Sequence, residues 1–321
     1  MKFNARKALF NAGLFFFPFL LATTVVAQPA IDKAELLGHV RFLSSDELEG
    51  RRTGENGIRQ ARYYIIGVMD EAGVEKLDGR YTHSFKFTAG AQQQEFRGTN
   101  VMTYIKGTKN PDLYIVMSAH YDHLGTRDGV IYNGADDNAS GVAVMLEAAR
   151  YFAKNPPEHS IIFVAFDAEE MGLRGAREFV DNPPVPLDQI VLNINMDMVS
   201  RSVFNEIYAA GTHHYLYLKP ILEKVKRPSG IRLKFGHDSP DLKPHDNWTL
   251  SSDHGPFHMK DIPFVYFGVE DHDGYHNPSD DFENITPDFF HKAAQLIVQS
   301  AIDLDANLGK IKTELDKQRG K

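Results

Sequence analysis

Three apolar runs dominate the pattern of the chain. They cover residues 113–117, 161–166 and 190–196, and carboxylate or imidazole side chains follow each run closely. The first two runs are uninterrupted, and the third contains Asn193 and Asn195. Apolar runs of this length are typical of strands that are buried on both faces, as in the middle of a parallel sheet. Such sheets keep their sites at the carboxyl ends of the strands, so the pattern predicts an α/β fold with one site at three strand ends.

Shorter patterns fill in the rest of the fold. Helical spacing of apolar residues predicts long helices at residues 31–45, 55–72, 139–153 and 287–304. Further strands are predicted at residues 81–88 and 100–105, on an antiparallel edge, and at 206–210 and 262–267. Region 201–272 is expected to shape a pocket, with a helix over 214–225 and then a polar loop, and the charged tail beyond residue 307 is predicted to fray.

Residues 1–27 have a different character. A basic start (Lys2, Arg6 and Lys7), an apolar segment over 14–22 and small residues before Gln28 are typical of a secretory signal. The apolar part is shorter than the roughly 20 residues that a membrane span needs. We therefore expect export to the periplasm or the medium, cleavage near Gln28, no membrane attachment afterwards, and a single catalytic domain over residues 28–321.

Composition and charge exclude two features. The chain has no cysteine, so no disulfide can form and the core must stabilise the fold. Removing the signal lowers the formal net charge from −8 to −11. Because a chain this acidic repels a phosphate backbone, and no basic patch is evident, nucleic acid is not an expected partner.

The polar residues near the strand ends have the chemistry of metal ligands. The candidates are His120, Asp137, Glu169, Glu170, Asp197 and His276. Imidazoles and carboxylates without thiolates suit two divalent ions such as zinc, which can share one carboxylate and supply a bridging hydroxide and a Lewis acid. One carboxylate of the adjacent pair Glu169-Glu170 can bind metal while the other acts as general base. Asp122, two residues from His120 in extended chain, is a candidate partner that orients its ring.

Five segments in this order resemble the M28 family of dizinc aminopeptidases. They are HYD (120–122), GADDNASG (134–141), DAEEMG (167–172), NMDM (195–198) and YHNPSD (275–280), and the resemblance covers about residues 36–306. It implies a mixed, mostly parallel sheet of about eight strands between two layers of helices. It also implies an enzyme that removes N-terminal residues from peptides with a free amino terminus.

The resemblance assigns a role to each candidate. His120 and Asp197 would hold one zinc ion, Glu170 and His276 the other, and Asp137 would bridge the two. Glu169 would be the general base for a metal-bridged hydroxide, Asp122 the partner of His120, and Tyr275 a donor to the oxyanion. Family members often have a non-proline cis peptide after the bridging aspartate, which here would join Asp137 to Asn138.

Other functions are compatible with parts of this pattern. A carboxypeptidase or amidohydrolase of the M20 type also uses His-x-Asp and Glu-Glu, a single-zinc glutaminyl cyclase shares the sheet, and a binding module could keep a metal site without catalysis. The short spacing from His120 to Asp137 favours M28, and the retention of Glu169 argues against a binding module. The remaining histidines, among them His123, His254 and His272, are expected to be surface or packing residues.

Overall fold

A computed structural model of the chain describes Met1 and residues 28–320. Apart from Met1, the predicted signal segment lies outside the described residues. Within the described part of the chain, no helix combines the length and the apolar character that would let it cross a membrane.

Nine strands form one mixed sheet. The strands of the described residues are β1 (Glu75–Lys76), β2 (Thr82–Ala89), β3 (Gln94–Ile105), β4 (Asn110–His120), β5 (Gly125–Arg127), β6 (Val130–Tyr132), β7 (His159–Phe166), β8 (Ile190–Met196), β9 (Glu206–Ala210), β10 (Arg232–Phe235) and β11 (Phe264–Gly268). Their order in the sheet is β1-β3-β7-β4-β8-β11-β9-β10, with β2 paired to β3, while β5 and β6 form a separate hairpin. The four central strands β7, β4, β8 and β11 run parallel, so their carboxyl ends meet at one edge.

Helices cover both faces of this sheet. They are α1 (Lys33–Leu43), α2 (Asn56–Glu71), α3 (Gly141–Lys154), α4 (Arg174–Asp181), α5 (Lys219–Lys224), α6 (His254–His258), α7 (Pro287–Ala306) and α8 (Leu308–Gln318). Alternate residues of β4 and β7 enter two separate apolar clusters: Ile161 and Phe163 pack on one side with α3 and α7, while Ile162 and Val164 pack on the other with α4 and α6. The predicted three-layer α/β fold is therefore confirmed, with nine strands in place of about eight.

Three local predictions were wrong. Residues 308–318 of the tail do not fray, because they form α8, which buries Leu308, Ile311 and Leu315 on one face at helical spacing. The helix expected over 214–225 is limited to the six residues of α5. The loop expected after it contains β10, a short edge strand that pairs in parallel with β9.

His254 is a neutral histidine in the core beside β11. It is completely buried, its Nε2 donates a hydrogen bond to the Trp248 carbonyl at 2.7 Å, and its ring lies against Phe264 and Tyr266. Burial lowers the pKa of His254 to about 3, since the apolar surroundings disfavour the charged ring. An unfolded histidine titrates near pH 6.5, so the unfolded chain binds a proton here that the folded chain does not.

We expect His254→Gln, which can keep the donor to Trp248, to flatten the acid side of the stability curve. Between pH 6.5 and the folded pKa, wild-type protein loses about 1.4 kcal/mol per pH unit through this one group. From pH 6.5 to 4.5 the free energy of unfolding should fall by about 2–3 kcal/mol more in wild type than in the variant. Urea titrations with a chelator present would measure this, with the exposed His213→Gln as control; equal losses in all three proteins would contradict the assignment.

Candidate active site

The predicted site residues come together at the carboxyl edge of the four central parallel strands. His120 ends β4, Glu169 and Glu170 follow β7, and Asp197 follows β8 directly. The loop after β11 carries His276. Asp137 comes from the helical turn before α3, which crosses the same edge. Parallel strands explain this convergence, because each one delivers its following loop to the same side of the sheet.

The donor atoms form two sets that share Asp137. His120 Nε2 lies 3.2 Å from Asp137 Oδ1 and 3.3 Å from Asp197 Oδ1. His276 Nε2 lies 3.2 Å from Asp137 Oδ2 and 3.3 Å from Glu170 Oε2. Ligands of a tetrahedral zinc ion, each about 2.0–2.1 Å from the metal, stand about 3.3 Å apart. The residues therefore fit two ions, with one oxygen of Asp137 facing each.

The charges of these groups also suit cations. Burial disfavours the charged form of His120, but the carboxylates of Asp197 and Glu169 outweigh it and raise the pKa of His120 well above its ordinary value. Burial works against ionised Asp137 as well, yet His123, His120 and His276 keep its pKa well below the usual range. Hydrogen bonds to Asp137 and Glu170 raise the pKa of His276 to about 10. The raised pKa values of His120 and His276 show that the surrounding carboxylates favour positive charge here, which bound divalent cations would supply.

The backbone around Asp137 is fixed by Asp280. The Asp280 carboxylate accepts hydrogen bonds from the N–H groups of Asp136 and Asp137, at 2.9–3.1 Å. The peptide bond from Asp137 to Asn138 is cis, as the resemblance implied. Asn138 donates to the Met196 carbonyl at 2.9 Å, which ties this turn to the end of β8. Asp280 belongs to the last sequence motif, but its local pattern does not indicate this contact.

Asp122 holds the Glu169-Glu170 loop as well as lying beside His120. Its carboxylate accepts hydrogen bonds from the N–H groups of Glu169 and Glu170, at 3.0 and 3.2 Å. It lies 3.7 Å from His120 Nδ1, which has the Asp122 backbone carbonyl closer, at 3.1 Å. A proton on Nδ1 that is donated to this carbonyl leaves Nε2 of His120 free to bind metal.

Glu169 and Tyr275 face the same opening as the donor sets. The two line a pocket of about 400 Å³ together with His120, Asp137, Glu170 and Asp197. Burial raises the pKa of Glu169 well above its ordinary value, and the buried carboxylates of Asp253 and Asp197 add to the effect. Nearby divalent cations would lower it again. Tyr275 is 41% exposed and its ring stacks on His276, with the ring centres 4.0 Å apart.

Mainly apolar side chains form a further wall of this pocket. The wall includes Leu173, Met198, Trp248, Leu250, Tyr266, Val269 and Asp271. Most of these come from region 201–272, where the sequence predicted a pocket-shaping segment. The cavity thus joins an apolar wall to an acidic, metal-compatible floor.

Two histidines that were expected to be surface or packing residues belong to the site. His272 Nε2 lies 2.9 Å from a carboxylate oxygen of Asp136, within the turn that carries Asp137. His123 Nδ1 lies 2.9 Å from Glu170 Oε1. The buried guanidinium of Arg51 donates hydrogen bonds to backbone carbonyls near His123 and near Asp137, including those of Tyr121 and Gly134. Local sequence patterns gave Arg51 and His123 no role.

Comparison with known proteins agrees with this architecture. Residues 100–301 match the model of peptidase family M28. The aminopeptidase YwaD of Bacillus subtilis is 32% identical over 251 residues, which is 74% of this chain and 51% of that protein. A probable zinc metalloprotease of Pyrenophora tritici-repentis is 33% identical over 51% of this chain and 39% of its own length. The chain thus spans about half or less of the length of these curated relatives.

Solved structures share the fold at low sequence identity. A zinc aminopeptidase from Bacillus subtilis superposes with a TM-score of 0.68 at 18% identity, over 86% of this chain and 96% of that one. A glutaminyl cyclase of Bacteroides thetaiotaomicron, bound to N-acetylhistamine, gives a TM-score of 0.66 at 17% identity, over 86% and 99%. One fold therefore carries more than one reaction, and the side chains of the site must decide between them.

Proposed function

The chain belongs to peptidase family M28, and from the geometry of its site we propose that it is a zinc-dependent aminopeptidase that hydrolyses the N-terminal peptide bond of peptides. The observation that carries the proposal is the shared carboxylate of Asp137, which stands between two donor sets spaced for zinc. Glu169 opens onto the same pocket. The similarity to a Bacillus aminopeptidase supports the same activity. The M20-type alternative has no comparable support.

Each donor set would hold one zinc ion. His120 and Asp197 would bind the first ion, His276 and Glu170 the second, and Asp137 would bind both. When bound, the two ions supply a Lewis acid for the scissile carbonyl and lower the pKa of an attacking water. Asp122 would keep this arrangement in place, because it fixes the backbone of the Glu169-Glu170 loop.

Glu169 would move the proton during hydrolysis. Its carboxylate would accept a proton from the attacking water and deliver it to the nitrogen of the leaving amine, so that one residue serves both half-steps. Among the contacts within the two donor sets, none involves Glu169, which leaves its carboxylate available for this role. The Tyr275 hydroxyl, at the same opening, would donate a hydrogen bond to the oxyanion as the carbonyl is attacked.

The pocket suits a free N-terminus. Carboxylates of Glu169, Asp197 and Asp271 line it and would attract an ammonium group. The apolar wall around Trp248 and Leu250 would receive the first side chain of the substrate. We also propose that the protein is exported, on the signal pattern of residues 1–27; the mass of the exported chain should then correspond to a start near Gln28.

The test combines a metal count with a substrate panel. We expect about two zinc ions per chain by mass spectrometry, and release of nitroaniline from aminoacyl-nitroanilides with apolar first residues. N-acetylation removes the charge that the carboxylates of the pocket would recognise, so blocked substrates should react at least about 10-fold more slowly. Activity only on blocked or C-terminally free substrates would overturn the proposal, as would cyclisation of N-terminal glutamine without peptide cleavage.

A further inference from the structure

His123 lies at the second donor set. The residue is only 1% exposed, and its Nδ1 is 2.9 Å from Glu170 Oε1 and 3.7 Å from Asp137 Oδ2. His276 approaches the same two carboxylates at 3.2–3.3 Å. The four side chains of His123, Asp137, Glu170 and His276 therefore present donor atoms to one small volume.

The short distance from His123 to Glu170 is not a hydrogen bond. Among the described residues, neither ring nitrogen of His123 has a hydrogen-bond partner, and neither does Glu170 Oε1. The two atoms are close but not aligned for a shared proton. Two ligands of one tetrahedral ion have this relation, because the metal lies off the line that joins them and each lone pair points at the metal. Buried polar atoms are rarely left without any partner. A metal ion bound between His123 Nδ1 and Glu170 Oε1 would be a partner for both atoms.

Gly134 makes room for the imidazole. A Cβ at residue 134 would lie 2.6 Å from the His123 ring and would also clash with the Asp137 carbonyl oxygen, and φ there is +59°. Only glycine accepts that backbone conformation readily and also leaves space for the ring. The loop before Asp137 is thus shaped to hold His123 against the two carboxylates.

We propose that His123 Nδ1 is a further ligand of the ion held by His276, Glu170 and Asp137, an inference that rests on the proposed metallopeptidase function. The second position then has four protein donors, while the first has three: His120, Asp197 and Asp137. Positions with more protein ligands hold their ion more firmly, and those with fewer keep coordination sites open. The second ion should therefore leave last when metal is withdrawn.

Cadmium NMR tests the bond directly. The purified chain, labelled with ¹⁵N, is freed of metal and loaded with two equivalents of ¹¹³Cd²⁺, and scalar couplings from cadmium to imidazole nitrogens are recorded. We expect three coupled nitrogens: Nε2 of His120, Nε2 of His276 and Nδ1 of His123. The His123 signals are assigned from their contacts with the Gly134 protons and from their loss in His123→Asn, so the measurement stands even if that variant folds poorly.

The possible outcomes distinguish a failure of this ligand assignment from a failure of the proposed metallopeptidase function. Coupling at His120 and His276 without His123 would overturn the ligand assignment and leave the two-metal site intact. No coupling at any histidine would overturn the metal site as well. A chelator titration in which the bound metal is counted gives a second test. His123→Asn should release the ion of the second position at a chelator concentration at least about 10-fold lower than wild type does. The control is His254→Gln, which replaces another buried histidine and should release this ion as wild type does. Retention of both ions by His123→Asn would contradict the proposal.

Discussion

Replacing Glu169 by glutamine is expected to lower kcat by about 10²- to 10⁴-fold, the usual contribution of a general base, while the metal content stays at the wild-type level. Glutamine has nearly the same shape but cannot accept and return a proton at that position. Glu169 lies in the pocket beside the donor sets and is absent from their close contacts. Steady-state kinetics on a leucyl-nitroanilide, with zinc counted in the same sample, would measure both effects.

The neighbouring residue provides the contrast. Glu170→Gln removes a charged oxygen 3.3 Å from His276 Nε2, so we expect it to lose about one zinc ion per chain along with activity. The exposed Glu283→Gln should retain both metal and rate. A Glu169→Gln enzyme within about 3-fold of wild type, or one that loses zinc as Glu170→Gln does, would remove Glu169 from the role of base.

The centre of the fold was predictable because burial on both faces leaves a direct trace in the sequence. Every residue of β7 and β8 is buried; β7 ends in the uninterrupted apolar run 161–166, and β8 is apolar except for Asn193 and Asn195. The edge is different. In β10 only Leu233 is buried, and its exposed neighbours Arg232 and Lys234 give the segment the composition of a loop. Strands of this kind depend on a partner, here β9, that the local sequence does not reveal.

Site residues were predictable where they belong to sequence motifs at the ends of strands. They were not predictable where only the folded loops bring them to the site. His120 and Asp197 end or follow central strands, so the parallel sheet places them together. His123 lies beyond the end of β4, where side chains no longer alternate as they do in a strand, so its direction cannot be deduced from that of His120. Only the folded loops bring it to Glu170.

Arg51 is a second residue whose role the local sequence does not predict. It connects three segments of the chain beneath the site. The residue is 1% exposed, and its guanidinium donates hydrogen bonds to the carbonyls of Leu43, Tyr121, Asn133 and Gly134. These partners lie 8, 70, 82 and 83 positions away along the chain, so no local sequence pattern predicts these hydrogen bonds. Burial lowers the pKa of Arg51 to about 10, and nearby carboxylates oppose this, so the group stays charged at neutral pH.

We expect Arg51→Met to lower the free energy of unfolding by about 4 kcal/mol or more, because it leaves up to four buried carbonyls without this donor, at about 1–3 kcal/mol each. Arg51→Lys keeps the charge but not the planar fork, and should fall between Arg51→Met and wild type. The adjacent Arg52 is the matched control: its side chain is 47% exposed and lies 3.7 Å from Glu55, so Arg52→Met should change stability by less than about 1 kcal/mol. Urea unfolding with a chelator present would compare the three variants without the contribution of bound metal.

Arg51 also holds the backbone directly after His120 and shortly before Asp137. In samples without chelator, the loss of stability should therefore be accompanied by loss of zinc at temperatures where the variant is still folded. Equal stability of Arg51→Met and Arg52→Met would mean that these loops hold their positions without the guanidinium, and the support of the site would then have to come from Asp280 and Asp122 alone.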